Sequence, residues 1–387
     1  MTGNTFGRLF RVTTCGESYS GCFRKNPEIP KQLYGGLLTI VDGVPAGIRI
    51  TAEDIQVELD KRKPGQSKLD SPRLEKDKVY IFSGVMENQM STGAPIGIVI
   101  PNNDIEDIHV GQYHDYKDMA RPGHAELTFM KRYGQYNDWV GAGRASGRET
   151  VSRVAGGAVA KLILDKYGID VIAYTVESHG IKAAPVDYEM AKKNYRKNNI
   201  NCPDLEAAEQ MERDILAVRK TGVIEMIIRG LPAGLGEPVF DKLEATLAHA
   251  MMSIGAIKGI EFGAGFRVAE MVGSECNDEM YWDKETGRVK FYTNHAGGFL
   301  GGISNGDEVR IRMAVKPTPT VDVVQRTVDT DNGTDVNLSP ITRRDASLLP
   351  RIYPVCEAMA RITIVDAMMI FNGYRSMEDL DKKYDLM

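Results

Sequence analysis

The chain lacks most of the patterns that announce a chemistry. Its five cysteines (15, 22, 202, 276 and 356) are scattered, odd in number and without a C-x-x-C pair. That argues against a disulfide framework and a zinc site, and it fits a reducing compartment. The six histidines (109, 114, 124, 179, 249 and 295) form no H-E-x-x-H and do not pair with cysteines at ligand spacing, so no metal is expected. No uncharged apolar run reaches about 18 residues, and "MTGNTFGRLF" at the start has no long apolar stretch. The expectation is a soluble, cytoplasmic protein with no membrane partner. Net charge is −5, so no global basic field points to nucleic acid. There is no G-x-G-x-x-G between a strand and a helix, no G-x-x-x-x-G-K-[ST] and no nucleophile elbow. Those gaps weigh against dinucleotide, P-loop and serine-hydrolase chemistry.

Glycine is what the chain has in plenty. There are 39 in 387 residues, above the usual ~7%, with no collagen-like period. Tight turns and backbone-lined binding surfaces follow. No linker or repeat divides the sequence. "LLTIVDG" (37–43), "KVYIFSGV" (78–85), "IGIVI" (96–100) and "VIEMIIRGL" (223–231) read as strands, with more strand near 257–270 and a hairpin at "DKETGRVKFY". Residues 51–63 read as a helix capped by Thr51 and stopped by "PG". Helices are also expected at 148–168, 203–222, 239–254 and about 354–371. The first of these carries small residues that suit close contact with another helix. This is a mixed α/β chain with mainly antiparallel strands and central helices.

Three polar, glycine-rich stretches stand out. "WVGAGRASGRET" (139–150) opens into a helix, where backbone N–H groups with Arg144 and Arg148 would make an anion cradle, or only a loop with surface arginines. "NHAGGFLGGISNGDEVRIRMAVKPTPT" (294–320) leaves backbone open for close approach and ends on Lys316 beside stiffening prolines, though such turns can be only turns. "SPITRRDASLLPRIYPVCEAM" (339–359) sets an acid among guanidinium groups, or is a helix cap with solvated arginines. Arg62, Lys63 and Lys68 follow the helix at 51–63, where cations simply suit its dipole. His124, between a Pro-Gly turn and a helical run, is the best placed general acid; His249 reads as a packed core residue.

Together these stretches resemble the chorismate synthase family. The resemblance rests on "GNTFGRLFRVTTCGES", "VDGVPAGI", "DKRKPGQSK", "STGAPIGIVI", "RPGHAELTF", "KYGQYNDWVGAGRASGRE", "GLGEPVFDKLEATLAHAMMSIGAIKGIEFG", "NHAGGFLGGISNG", "MAVKPTPT" and "RRDA", in order along nearly the whole chain. It implies an α+β fold: a single-domain β-α-β sandwich over 1–387, with a helical core between antiparallel sheets, assembled as a homotetramer. It implies anti-1,4-elimination of phosphate from 5-enolpyruvylshikimate 3-phosphate to give chorismate. Reduced FMN is required, kept reduced by an external reductant or reductase, and it supplies electron density and takes the C6 proton. The multiply anionic substrate then calls for charge-assisted pairs.

Carried over by position, the resemblance assigns Arg62, Lys68, Arg148, Arg343 and Arg351 to substrate anions, with Lys68 where relatives often have arginine. It assigns FMN to Arg144, Ala145, Ser146, Gly255, Ala256, Gly301, Lys316, Pro317, Thr318, Pro319, Thr320 and Arg343; at 255 relatives commonly have asparagine. His124 matches the histidine that assists phosphate departure. Asp345 matches the carboxylate that relays the proton, and Arg344 places a positive charge beside it. One position departs from the pattern. Where the family has histidine after Gly-Glu-Ser, this chain has Tyr19, followed by an insertion at about 21–35 that is basic and contains proline. Histidine titrates near ~6.5 and tyrosine near ~10, so Tyr19 can donate a hydrogen bond to the flavin but shuttles protons poorly. A slowed or retuned enzyme is expected. The alternatives are a catalytically impaired flavin-binding relative with a structural or regulatory role, and a flavin reductase, which the missing dinucleotide fingerprint weakens.

Overall fold

Alternation along the strands decides the layers. In Gly36–Asp42 every second residue, Leu37, Thr39 and Val41 among them, is buried on one face. Val309–Val315 buries Val309, Ile311 and Met313 and turns Arg310 and Arg312 to the other face, where they meet Glu225 and Glu261. This period of two is what a sheet with one covered face requires. The computed structural model describes residues 3–18, 36–70, 76–102, 111, 113–218, 221–339 and 346–372.

Two five-stranded sheets result, and every strand pairing among the described residues is antiparallel. The first runs Thr5–Phe6, Arg11–Cys15, Gly36–Asp42, Ile96–Pro101, Tyr80–Ile81 in spatial order. The second runs Ile181–Lys182, Asp170–Ser178, Gly222–Arg229, Val309–Val315, Ile257–Phe262. Between them lie the helices Thr150–Asp165 and Leu349–Phe371, the former against the first sheet and the latter against the second. The α+β sandwich with a helical core is therefore the fold of the chain.

The two central helices touch through small residues, as the sequence led us to expect. A Cβ on Gly157 would stand 2.3 Å from Cβ of Ala358, so nothing larger than glycine fits there. Thr51 caps the helix Ala52–Asp60 in a full capping box, with Asp54 N donating to its hydroxyl and Thr51 N donating to the Asp54 carboxylate. The long helix also anchors the N-terminal strands. Its buried Asp366 carboxylate accepts the backbone N–H groups of Arg8, Leu9 and Phe10 at 2.7–3.0 Å.

Several expected elements differ in extent. The strand at 78–85 shrinks to Tyr80–Ile81 at the sheet edge, because the chain then turns at Gly84 (φ +81) toward a bridge between Val85 and Ser91. The helix expected from 239 begins at Leu243, after a tight loop closed by Glu237 and Asp241. Strand near 257–270 ends at Phe262 and gives way to a short 3-10 helix, Gly265–Glu270. The long helix starts at Leu349 rather than 354, since Pro350 suits a first turn and Pro354 is carried inside. His249 is on a helix but faces outward, its ring 5.5 Å from that of Phe6, so the core placement is corrected.

Candidate active site

Arg62 does not sit in solvent at the end of its helix. The chain turns after Asp60, and the side chain points inward, only 2% exposed. Its Nε donates to the Thr150 hydroxyl (2.9 Å), one terminal nitrogen to Asp77 (2.8 Å) and the other to the carbonyl of Gly147 (3.1 Å). Arg148 reaches the second oxygen of the same Asp77 carboxylate and the carbonyl of Pro101. Arg351 donates to the carbonyl of Arg62 at 3.1 Å and lies 3.4 Å from the Asp70 carboxylate. Burial pushes the Asp77 carboxyl upward, but the guanidinium groups of Arg62 and Arg148 outweigh it and hold the group below the usual carboxylate range. Three of the arginines assigned to substrate anions are thus brought together. Lys68 is not. It stays exposed and makes no hydrogen bond with this group among the described residues, because its loop turns outward before Leu69 and Asp70 return to the interior.

The glycine-rich loop before the helix Thr150–Asp165 wraps this cluster. Gly141, Ala142 and Gly143 all have positive φ (63°, 66° and 46°), so the loop folds back on itself in two short 3-10 turns. Gly143 has to be glycine for a second reason: a Cβ there would lie 2.9 Å from Oδ2 of Asp138. Burial, with Glu17 nearby, pushes the Asp138 carboxyl up despite the backbone N–H of Val140. Arg144 reaches across to the carbonyls of Gly16 (2.9 Å) and Thr14 (3.2 Å), tying the loop to the strand that leads to Ser18. Ala145 ends one 3-10 turn, and the Ser146 hydroxyl caps the next by accepting from Arg148 N.

A second group forms around His124. Lys316 donates its backbone N–H to the carbonyl of Ala256 (2.8 Å) and its ammonium to the carbonyl of Gly123. Pro319 packs on Gly123 from the same loop, Lys316 to Thr320. Nδ1 of His124 stands 3.0 Å from Oε2 of Glu126, whose other oxygen accepts from Arg121. Burial opposes the charged form of Glu126, and His124 with Arg121 outweighs it, so the carboxyl lies below its usual range. Burial, reinforced by Lys258, lowers the Lys316 ammonium. The two groups are linked where Arg153, in the first turn of the small-residue helix, donates to the hydroxyl (2.6 Å) and carbonyl (3.2 Å) of Ser253, just before Gly255.

Gly255 and Gly301 both open onto space, since a Cβ built on either meets nothing within 4 Å. They are not adjacent. Gly302, beside Gly301, accepts from Glu244 at the start of the helix Leu243–Met252, whereas Gly255 follows that helix's end, so about 15 Å of helix separates them. Asp278 shapes the Gly301 segment from its far side, accepting from the backbone of His295 (2.7 Å) and Ala296 (2.9 Å) and from the Thr293 hydroxyl (2.6 Å). Tyr19, the insertion, Arg343, Arg344 and Asp345 lie outside the described residues.

The fold and this geometry define an α+β protein in which a glycine-rich loop wraps a cluster of buried arginines. The family profile described as chorismate synthase matches residues 10–369. A chorismate synthase of Acetivibrio thermocellus is 61% identical over 100% of both chains, and one of Methanocella arvoryzae is 46% identical over 95% of each. A crystal structure of chorismate synthase superposes with a TM-score of 0.71 at 28% identity, covering 98% of this chain and 97% of that one. The chain belongs to the chorismate synthase family, a family of lyases. Among the described residues no helix is long and apolar enough to cross a membrane.

Reading the sequence passed over Asp77, Glu126 and Asp278. Asp77 sits unmarked in the charged run "EKDK", with nothing in the pattern to show that it turns inward. Glu126 looks like an ordinary acid in a helix's first turn. A sequence signal existed only for Glu126, two residues from the histidine already singled out.

Proposed function

We propose that the protein is an active chorismate synthase, acting as one domain in a homotetramer in the cytoplasm. Its reaction is anti-1,4-elimination of phosphate from 5-enolpyruvylshikimate 3-phosphate, giving chorismate. The observation that carries this reading is the meeting of Arg62, Arg148 and Arg351 beside the Arg144–Ser146 loop, in a chain of this family.

The residues present fit a flavin phosphate and ring system. Gly255 and Gly301 leave open space for close backbone approach, and Arg144, Ser146, Lys316, Thr318 and Thr320 offer donors of the kind an FMN phosphate and ring edge need. Positions at both ends of one helix suit an elongated ligand. Ala145, Ala256, Pro317, Pro319 and Arg343 complete the set that would hold it. Reduced FMN, when bound and kept reduced by an external reductant, supplies the electron density the elimination needs.

The chain's own residues do the rest. Arg62, Arg148 and Arg351 bind and orient the carboxylates and phosphate of the substrate, without Lys68, which stands exposed outside the cluster. His124, its Nδ1 turned to Glu126, offers Nε2 to the departing phosphate as a hydrogen-bond or proton donor. Asp345 relays the C6 proton away. Tyr19 donates a hydrogen bond to the flavin where relatives place a histidine.

The test is anaerobic turnover of 5-enolpyruvylshikimate 3-phosphate with chemically reduced FMN, wild type beside Tyr19→His. We expect chorismate from the wild type and a faster rate in the variant, by up to about 10²-fold if proton shuttling limits. A wild type that binds flavin yet makes no chorismate overturns the active-enzyme reading. In that case rescue by histidine identifies Tyr19 as the change that silenced a flavin-binding relative.

A further inference from the structure

We infer that Asp77 is the positioning residue of the substrate site: one buried carboxylate that holds Arg62 and Arg148 side by side as a single anion-binding unit. The inference rests on the reading of this cluster as the substrate site and adds the residue that assembles it.

The geometry is specific. The Asp77 side chain is 0% exposed, and its two oxygens are divided between two guanidinium groups, Oδ2 to Arg62 and Oδ1 to Arg148. Those arginines come from distant parts of the chain, one after the helix Ala52–Asp60 and one from the turn before the helix Thr150–Asp165. Two buried guanidinium groups at such range repel strongly in a weakly screened interior. A shared counter-ion between them makes their joint burial tolerable, and its two oxygens fix their spacing. The backbone around Asp77 is set for this placement. Its φ of 45° is the left-handed region, which aspartate tolerates better than most residues. Its carbonyl faces the Gln56 side-chain amide at 3.3 Å, and Val79 N donates to the same side chain at 3.1 Å. Gln56 therefore clamps the segment that carries Asp77.

The consequence runs beyond the two arginines. Arg62, held by Asp77, also grips Gly147 and Thr150, and Arg148 follows the Ser146 cap. The loop carrying Arg144 to Ser146 has its own tie as well, through Arg144 to the carbonyls of Gly16 and Thr14, so its position does not depend on Asp77 alone. Asp77 need not touch substrate to act. Removing its charge should let the arginines separate and loosen substrate binding while leaving the rest of the flavin surface, around Lys316 and Gly255, in place.

The experiment uses the full chain with FMN and compares wild type, Asp77→Asn and the charge-relieved pair Asp77→Asn with Arg62→Gln. Three quantities are read: the Kd of 5-enolpyruvylshikimate 3-phosphate on the oxidised-FMN enzyme by calorimetry, the Kd of FMN alone, and Tm. Turnover adds the split between KM and kcat. For Asp77→Asn we expect substrate Kd and KM to rise about 10–100-fold, less than for truncating a charge that itself meets the ligand because Asp77 acts through the arginines, with FMN Kd changed less than about threefold. We expect Tm to fall in Asp77→Asn and to recover in part in the pair, because one of the two guanidinium groups that lost their shared carboxylate is gone, while substrate affinity stays weak.

An unchanged substrate Kd in a folded Asp77→Asn overturns the inference. So does equal loss of FMN and substrate binding, which marks a merely structural residue. If Asp77→Asn does not fold, the pair decides: recovery of folding supports the shared counter-ion, and no recovery overturns it. A wild type that neither binds nor converts the substrate defeats the proposed function instead, and the Tm comparison still tests the counter-ion.

Discussion

Two buried ion clusters lie within one turn of each other along the chain, and they share their arginines and carboxylates in opposite ways. Glu58 faces the core, where the Arg361 guanidinium sits between Glu58 (2.9 Å) and Glu357 (3.0 Å) and donates to the carbonyl of Val171 (3.1 Å). Lys61 closes on Glu58 at 2.6 Å, and Glu357 accepts the N–H of Ala173 at 3.0 Å. Four residues after Glu58, Arg62 faces the site, where one carboxylate, Asp77, serves two guanidinium groups. The core cluster gives one arginine two carboxylates and joins helix, helix and sheet. In the site cluster, among the described residues, one carboxylate, Asp77, is shared by two arginines, and the segments it joins are loops. Burial costs are of the same kind in both, and the difference lies in what is shared. In the core one guanidinium spans two carboxylates with Lys61 closing on one of them, which ties layers together. Two guanidinium groups held on one carboxylate instead suit the anion-binding role proposed above.

The largest effect should come from breaking the core cluster. Arg361→Met leaves Glu357 buried without its guanidinium partner and Glu58 with Lys61 alone, and we expect a loss of about 3–5 kcal/mol in urea unfolding. The protein that remains folded should keep the wild-type KM for 5-enolpyruvylshikimate 3-phosphate. Arg62→Met should do the reverse, raising KM at least about tenfold for a smaller stability loss. If both variants lose stability and KM together, the two clusters do not divide the work as described.

The core cluster was partly legible in the sequence and the site cluster less so. The helix carrying Glu357 and Arg361 was readable because long apolar runs with small residues define a buried helix, and its starting point was missed because proline is ambiguous at a helix start. Thr51 was readable as a cap because capping chemistry is local. Arg62, Arg148 and Arg351 were named through resemblance, since the dipole explanation of Arg62 from its own surroundings was wrong. Asp77 was invisible. Its partners lie 15 and 71 positions away, and no local rule of period or composition reports a contact of that kind.

Acid sharpens the comparison with a smaller effect. Burial would raise the Glu58 carboxyl, yet Arg361 and Lys61 bring it from its ordinary 4.5 down to about 2. A carboxyl depressed on folding contributes stability above its unfolded value, and that contribution drains away as pH falls through the folded one. The window is therefore about pH 4.5 down to 2, and the contribution at neutral pH is up to about 3 kcal/mol. Glu58→Gln should flatten the acid limb of the stability curve measured by urea titration between those values. An unchanged limb would mean that Glu58 does not hold a depressed pKa in the folded protein.

The smallest expected effect tests a third carboxylate, one that serves neither cluster. Asp278 binds backbone rather than arginine, and it shapes the segment that leads into Gly297, Gly298 and Gly301. Burial pushes its carboxyl up, but the Thr293 hydroxyl and the N–H groups of Ala296 and His295 hold it below the usual range. Asp278→Asn keeps the shape and can accept only through one oxygen, so it loses one of the two backbone contacts and the charge that strengthens both. A partly exposed bond of this kind is worth about 1 kcal/mol, which corresponds to roughly a fivefold change in an equilibrium. We expect the FMN Kd, followed by fluorescence quenching, to rise about three- to fivefold with the substrate Kd unchanged. That is the opposite pattern from Asp77→Asn. A shift in substrate Kd instead would place the Gly301 turn on the substrate side of the site and remove the separation between a flavin surface set by backbone and a substrate surface set by arginine.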